Sequence, residues 1–288
     1  RYSDIVHAWT VFGSPAYNEW ADQRSWESMV RFLEEAFGET VYESRQPDST
    51  MVEGFSYTDD FDGKALMGYV AKPDSSLWKS PAPAVVIIPD WDGVNTYEQE
   101  RATLLSKYGY VGFAADIYGE DLQTDLDLDT RIEQATLYRG DPSLFVRRMQ
   151  RAVDVVKSMD FVDGDKIAMI GYCFGGTGVV QYAFSPNNGD VMVVAAYHGG
   201  LQTLPEVTAD TIVPYTLILS GGEDDAHGNQ TILEEVMNGG DAEWEISRWS
   251  GVVHGFTNWA NEAAYSIAAD YRSWDQLMTT LNELMPAM

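Results

Sequence analysis

The chain has 288 residues, 45% of them hydrophobic, which excludes a disordered chain and supplies a large core. Its 45 acidic against 18 basic side chains give a net charge of −27, which argues against nucleic acid or an anionic membrane surface as partner. No apolar stretch approaches the ~20 residues of a membrane span, and the single cysteine excludes an intramolecular disulfide, leaving the compartment, cytoplasmic or extracellular, open.

The first segment of the chain repeats the last. Arg1-Tyr2-Ser3-Asp4-Ile5-Val6-His7-Ala8-Trp9-Thr10 aligns with Arg248-Trp249-Ser250-Gly251-Val252-Val253-His254-Gly255-Phe256-Thr257. After one inserted residue Ala21-Asp22-Gln23-Arg24-Ser25-Trp26 aligns with Ala269-Asp270-Tyr271-Arg272-Ser273-Trp274. The offsets are 247 (His7 to His254) and 248 (Trp26 to Trp274). Each copy continues with apolar residues at helical spacing: Trp26, Met29, Val30, Leu33 and Phe37 in one, Trp274, Leu277, Met278, Leu281 and Met285 in the other. Residues 1–40 therefore read as the C-terminal end of a preceding unit in a tandem array, its stripe packed on a neighbour. The start at Arg1, without an initiator methionine, fits a fragment or processed product. The alternative is a local duplication that decorates the same domain.

Residues 41–50 read as a linker, polar, containing Pro47 and without periodicity. The principal domain follows over 51–288. Residues 55–58 and 65–71 predict an antiparallel pair around Asp62-Gly63, 84–88 a buried strand, 96–108 a helix and 111–115 the next strand. The polar, acidic stretch 119–142 is a candidate flap over a site. A helix over 144–159, strands over 166–170, 191–197 and 211–220 and a closing helix complete the pattern. Continuous apolar strands separated by helices predict an α/β fold, a mainly parallel sheet with helices on both faces.

The chemistry gathers after the strands. Gly171-Tyr172-Cys173-Phe174-Gly175-Gly176 places the cysteine in a glycine turn between a strand and a helix over 177–183, the order of a nucleophile elbow with sulfur in place of oxygen. The glycines let strand and helix approach closely, and the helix N-terminus favours a thiolate. Such an elbow needs an acid and then a histidine, in that order. Gly221-Gly222-Glu223-Asp224-Asp225 closes the 211–220 strand and offers Asp224, with Asp225 as close rival, while Val253-His254-Gly255-Phe256 offers His254 as base. A structural cysteine beside packing glycines is the alternative. His198, in Tyr197-His198-Gly199-Gly200, either lines the pocket or is structural, and Asn229-Gln230-Thr231 is a glycosylation sequon.

Over roughly residues 50–288 the chain resembles the dienelactone hydrolase family of the α/β-hydrolase fold. The resemblance rests on the elbow, on Pro89-Asp90-Trp91-Asp92-Gly93-Val94-Asn95, on Ala115-Asp116-Ile117-Tyr118-Gly119 and on Val253-His254-Gly255-Phe256. It implies a Cys173, His254, Asp224 triad that opens an ester or lactone through an acyl-thioester, with no metal or organic cofactor. It also implies an oxyanion hole from the backbone amides of Trp91 and Phe174. His7 would be the base of an absent upstream site, or spare. Asp90 stands where the family has a glutamate contacting the nucleophile, and it either serves that role or caps its turn. Glu120 and Asn258 stand where well-known members hold a substrate carboxylate with two arginines, so the expected substrate is a neutral or cationic ester. A second class stays open: a structural protein assembled from tandem hydrolase-like units, self-associating through residues 1–40, with little or no catalysis.

Overall fold

Residues 82–88 form a strand with every residue buried, as their unbroken apolar run dictates, and the remaining elements are arranged around it. The computed structural model describes residues 2–38, 42–123, 126–201, 209–225 and 228–288. In chain order its first elements are α1 (Glu19–Phe37), β1 (Glu53–Thr58), β2 (Ala65–Ala71), β3 (Ala82–Ile88), α2 (Thr96–Lys107) and β4 (Val111–Ala114). Then come α3 (Leu128–Gly140), α4 (Pro142–Lys157), β5 (Val162–Tyr172), α5 (Phe174–Ala183) and β6 (Val193–Tyr197). The last are β7 (Tyr215–Gly221), α6 (Asn229–Met237), β8 (Trp244–Trp249) and α7 (Ile267–Leu284).

The eight strands make one sheet in the order β1-β2-β4-β3-β5-β6-β7-β8. The β1–β2 and β2–β4 pairs are antiparallel and the other pairs parallel. One face is buried under an apolar cluster that includes Phe113, Phe145, Met149 and Phe174. The other lies under Tyr97, Tyr172, Tyr197, Trp274, Leu277 and Leu281. Parallel register then decides where the chemistry sits: Ile88 pairs with Gly171, Tyr172 with Tyr197, and Tyr197 with Leu219. The residues that follow β3, β5, β6 and β7 consequently leave the sheet side by side along one edge.

Three local differences from the sequence reading have physical causes. Within 119–142, residues 128–140 form α3 rather than an open flap, because Ala135 and Tyr138 are buried and the Tyr138 hydroxyl donates to the Ile117 carbonyl at 2.6 Å; residues 124–125 lie outside the described residues. Strand β8 escapes the apolar pattern, since Trp244-Glu245-Ile246-Ser247-Arg248-Trp249 interleaves polar residues. Helix α5 starts at Phe174, directly after the cysteine, a turn earlier than its apolar run.

The N-terminal segment lies on the same chain, against β8 and α7. Tyr2 bridges Glu245 in antiparallel fashion, and Arg24 is buried with Glu245 at 2.6 Å and Glu283 at 2.7 Å. The apolar side of α1 faces out: Trp26 is 63% exposed and Phe37 85%, whereas their counterparts in α7, Trp274 and Met285, are fully buried. Arg1, where the repeat begins, and residues 39–41, where the N-terminal segment meets the linker, lie outside the described residues.

Candidate active site

Cys173 occupies the hinge between β5 and α5 with φ 51° and ψ −109°, a conformation that L-residues rarely adopt. Close backbone packing holds it there. A Cβ on Gly175 would stand 2.5 Å from the Pro89 carbonyl oxygen and nearer still to that of Ile88, so the helix can begin against β3 only without a side chain. The Cys173 N–H donates to the Tyr197 carbonyl at 3.0 Å and to His198 Nδ1 at 3.2 Å.

His254 reaches the sulfur from the loop after β8, with Nε2 3.0 Å from Cys173 Sγ. Its Nδ1 lies 2.9 and 3.0 Å from the two carboxylate oxygens of Asp224. The two supporting loops pack backbone on backbone, for Glu223 N–H donates to the Val252 carbonyl at 2.9 Å. Asp225 turns away: it accepts from the Gln230 N–H at 3.3 Å and lies 3.7 Å from Arg248. The Asp224 hydrogen bond first, and the sulfur second, push the His254 imidazole up to about 10.

Asp90 accepts from the Asp92 N–H at 3.0 Å, and its carbonyl accepts from the Gly93 N–H at 3.2 Å, so it caps the turn that carries Trp91. Burial first, then the shared hydrogen bond with Asp92, holds the Asp90 carboxyl well above the usual carboxylate range; the charge of Cys173 acts in the same direction. Behind it Glu98 is buried and pushed up to about 8, by burial and then by Asp92. Glu98 and Asn95 form a reciprocal cap at the start of α2. The Trp91 carbonyl accepts from the Tyr118 hydroxyl at 3.1 Å, which fixes the turn from the far side. Phe174, the first residue of α5, has a backbone amide with no acceptor within the helix, and its ring stacks on Phe145 at 4.4 Å.

His198 is buried beneath Cys173, with φ 40°. Because Nδ1 accepts from the Cys173 N–H, Nε2 carries the proton and donates to Thr257 Oγ1 at 2.8 Å. The chain of polar contacts continues through the Tyr97 hydroxyl, 2.8 Å from Thr257 Oγ1, to Arg101 and on to Asp270, 2.6 Å from Arg101. Burial first, then the charges of His254 and Arg101, push the His198 imidazole well below its ordinary range. Sequence reasoning missed Thr257, Tyr97, Arg101 and Asp270 in this setting. The one available signal was the position of Thr257, three residues past the histidine.

The positions expected to set substrate charge lie in different surroundings. Glu120 is exposed, with its N–H on the Ala65 carbonyl. Asn258 lines a cavity of about 320 Å³ with Asp92, Gln123, Arg131 and Trp259. Arg131, a cation that the sequence reading passed over, lies 3.7 Å from Asp92. A second cavity, of about 220 Å³, is bounded by Gly199, Leu201, Glu223, Asp225, Asn229 and His254; Asn229 of the sequon is at the start of α6, its side-chain amide donating to the Gly200 carbonyl at 3.3 Å. Among the described residues no three His, Cys, Asp or Glu side chains converge as a metal site requires.

Residues 66–285 match the model of the dienelactone hydrolase family. A Bradyrhizobium protein described as a probable 2-oxo-3-(5-oxofuran-2-ylidene)propanoate lactonase is 24% identical over 230 residues, 76% of this chain and 90% of its own. The carboxymethylenebutenolidase of Pseudomonas putida is 28% identical over 131 residues, 44% of this chain and 53% of that protein. Among solved structures, a dienelactone hydrolase-like promiscuous phosphotriesterase from metagenomic libraries superposes with a TM-score of 0.73 at 26% identity, covering 81% of this chain and 98% of the other.

Proposed function

Since the chain belongs to the dienelactone hydrolase family and is thereby a hydrolase of esters or lactones, we propose that Cys173 is its nucleophile, His254 its base and Asp224 the residue that orients the base. The observation that carries this reading is the unbroken line of contacts from Cys173 Sγ through the His254 ring to Asp224, built from three separate loops. His254 takes the thiol proton, and the sulfur adds to the carbonyl carbon. The resulting oxyanion is held by the amides of Trp91 and Phe174, each such donor worth about 2.7–4 kcal/mol in the transition state. As the C–O bond breaks, His254 returns its proton to the departing alkoxide and an acyl-thioester remains. Water, deprotonated by His254, then adds to the thioester, and the acid leaves as the thiol re-forms.

Asp90 is close enough to Cys173 for their charges to interact, and its protonated form spares the thiolate a repelling neighbour. The substrate is a neutral or cationic ester or lactone. Asn258 and Glu120 offer no cation to a substrate carboxylate, Arg131 is engaged with Asp92, and Glu223, Asp224 and Asp225 border the second cavity. The reading as an inert assembly block has less support, since the family and the thiol–imidazole–carboxylate contact both favour chemistry.

Chromogenic esters with neutral, cationic and anionic acyl groups, turned over by the wild type and by Cys173→Ala, test both parts. The wild type is expected to hydrolyse the neutral and cationic esters and to accumulate an acyl adduct on Cys173 detectable by mass. Equal rates in the two proteins would end the nucleophile assignment, and a preference for anionic esters would end the charge assignment.

A further inference from the structure

The N-terminal segment copies the C-terminal one in conformation as well as in sequence. Asp4 and Ala8 take the positive φ values, 54° and 70°, that Gly251 and Gly255 take at 74° and 78°. The Val11 N–H to Ala8 carbonyl bond of 3.1 Å matches that from Asn258 to Gly255 of 3.0 Å; the Asn18 to Trp9 bond of 2.9 Å matches that from Ser266 to Phe256 of 3.0 Å. Asn18 caps α1 through the Ala21 N–H just as Ser266 caps α7 through the Ala269 N–H. Two non-glycine residues held at positive φ, a conformation that is locally unfavourable, mark a segment shaped for a purpose beyond connecting.

The two copies also face one another reciprocally. Arg24 corresponds to Arg272 and Glu35 to Glu283, each 248 residues apart. Arg24 pairs with Glu283, and Arg272 pairs with Glu35. Exchange of equivalent partners is the signature of a two-fold relation. The strand level agrees. Tyr2 stands for Trp249 and bridges Glu245 in antiparallel fashion, so the β8 edge meets its own counterpart with Ser247 at the centre. Beyond Tyr2 that edge borders a cavity of about 410 Å³, lined by Tyr2, Glu245, Ser247, Trp249, Arg31 and Arg272.

We propose that residues 2–38 are the closing loop and helix of a second hydrolase domain, packed on this one about a two-fold axis through Ser247 of β8, and that the exposed face of α1 is covered by that domain's sheet. The occupant follows from α7. Its equivalent stripe, Trp274, Leu277, Met278 and Leu281, covers the sheet face that carries Tyr172 and Tyr197, and α1 presents Trp26, Met29, Val30 and Leu33 in the same places. A second copy of the present domain does not suit, because its own α7 already covers that face. The occupant is a domain encoded ahead of Tyr2, and the cavity along β8 is the course of its last strand. The two sheets then join edge to edge, which also removes an unpaired strand edge.

The test is the intact mass of the polypeptide carrying this sequence in its source, followed by hydroxyl-radical footprinting of that polypeptide and of the 288-residue chain. A mass above 32.1 kDa by at least one further domain is expected, with Trp26, Met29 and Phe37 oxidised several-fold more slowly in the longer polypeptide. A mass of 32.1 kDa or less overturns the proposal, as do equal oxidation rates in the two forms. In the longer polypeptide, Glu35→Arg is expected to open Trp249 to oxidation and Arg272→Glu to restore protection in the double variant. An unchanged footprint in the single variant overturns the two-fold packing.

Discussion

His254 is protonated well past neutrality because two neighbours favour the imidazolium, the Asp224 carboxylate first and the Cys173 sulfur second. The sign follows from that upward shift. Any stability this pair lends the fold is complete below about 6.5, the ordinary histidine value, and is lost as pH rises through about 10. In the proposed mechanism the same proton serves the leaving group, so the alkaline limb of kcat/KM is expected near pH 10 in the wild type. Asp224→Asn is expected to move that limb toward neutrality and to lower kcat by roughly 10²–10⁴-fold; a limb that stays in place in the variant would contradict the assignment. His198 supplies a second residue-scale prediction. Its Nε2 proton depends on Thr257 Oγ1, so Thr257→Val leaves a buried donor without a partner. Unfolding in urea is expected to show a loss of about 1–3 kcal/mol, while Thr257→Ser restores it.

At the scale of elements, the elbow is a contact between backbones. Helix α5 begins against the end of β3, and Gly175 is where the two touch. Gly175→Ala drives a methyl group into the carbonyls of Ile88 and Pro89, which cannot yield without parting β3 from α5. The expected loss is about 3 kcal/mol or more, read as a lower urea midpoint with an unchanged slope. Gly140→Ala, at the end of α3 with open space around it, serves as the control and is expected not to lower the midpoint and to raise it slightly, by at most about 1 kcal/mol of stability.

At the scale of the molecule, the Arg101–Asp270 pair ties α2 to α7 across the Tyr-rich face of the sheet. Both side chains are almost wholly buried, and Arg101 lies 4.2 Å from the Trp259 ring as well. Burial acts to raise the Asp270 carboxyl and Arg101 opposes it. Arg101→Ala strands that carboxylate and is expected to destabilise the whole domain by about 3–5 kcal/mol, measured by urea unfolding; Arg101→Ala with Asp270→Asn is expected to recover part of the loss. A loss below 1 kcal/mol in the single variant would show that water reaches Asp270.

The sequence by itself determined the strands that are apolar throughout and the glycine turn around Cys173, because each is a local pattern with one geometric solution, and it offered an aspartate and then a histidine downstream as the turn's candidate partners. It left Asp224 and Asp225 undecided, since adjacent residues at a strand end differ only in where their side chains are turned; the tertiary structure set Asp224 against His254 and Asp225 toward Arg248. Strand β8 was hidden because it interleaves polar residues, of which Glu245 is buried against Arg24 of α1 and Gln276 of α7, partners far away in sequence. The chain of contacts from His198 to Asp270 was hidden for the same reason, since its joining links, His198 to Thr257, Tyr97 to Thr257 and Arg101 to Asp270, run across 59, 160 and 169 positions and leave no spacing to read. The repeat was visible in the letters, but its two-fold pairing was not: a reciprocal exchange of salt bridges exists only once both copies lie side by side.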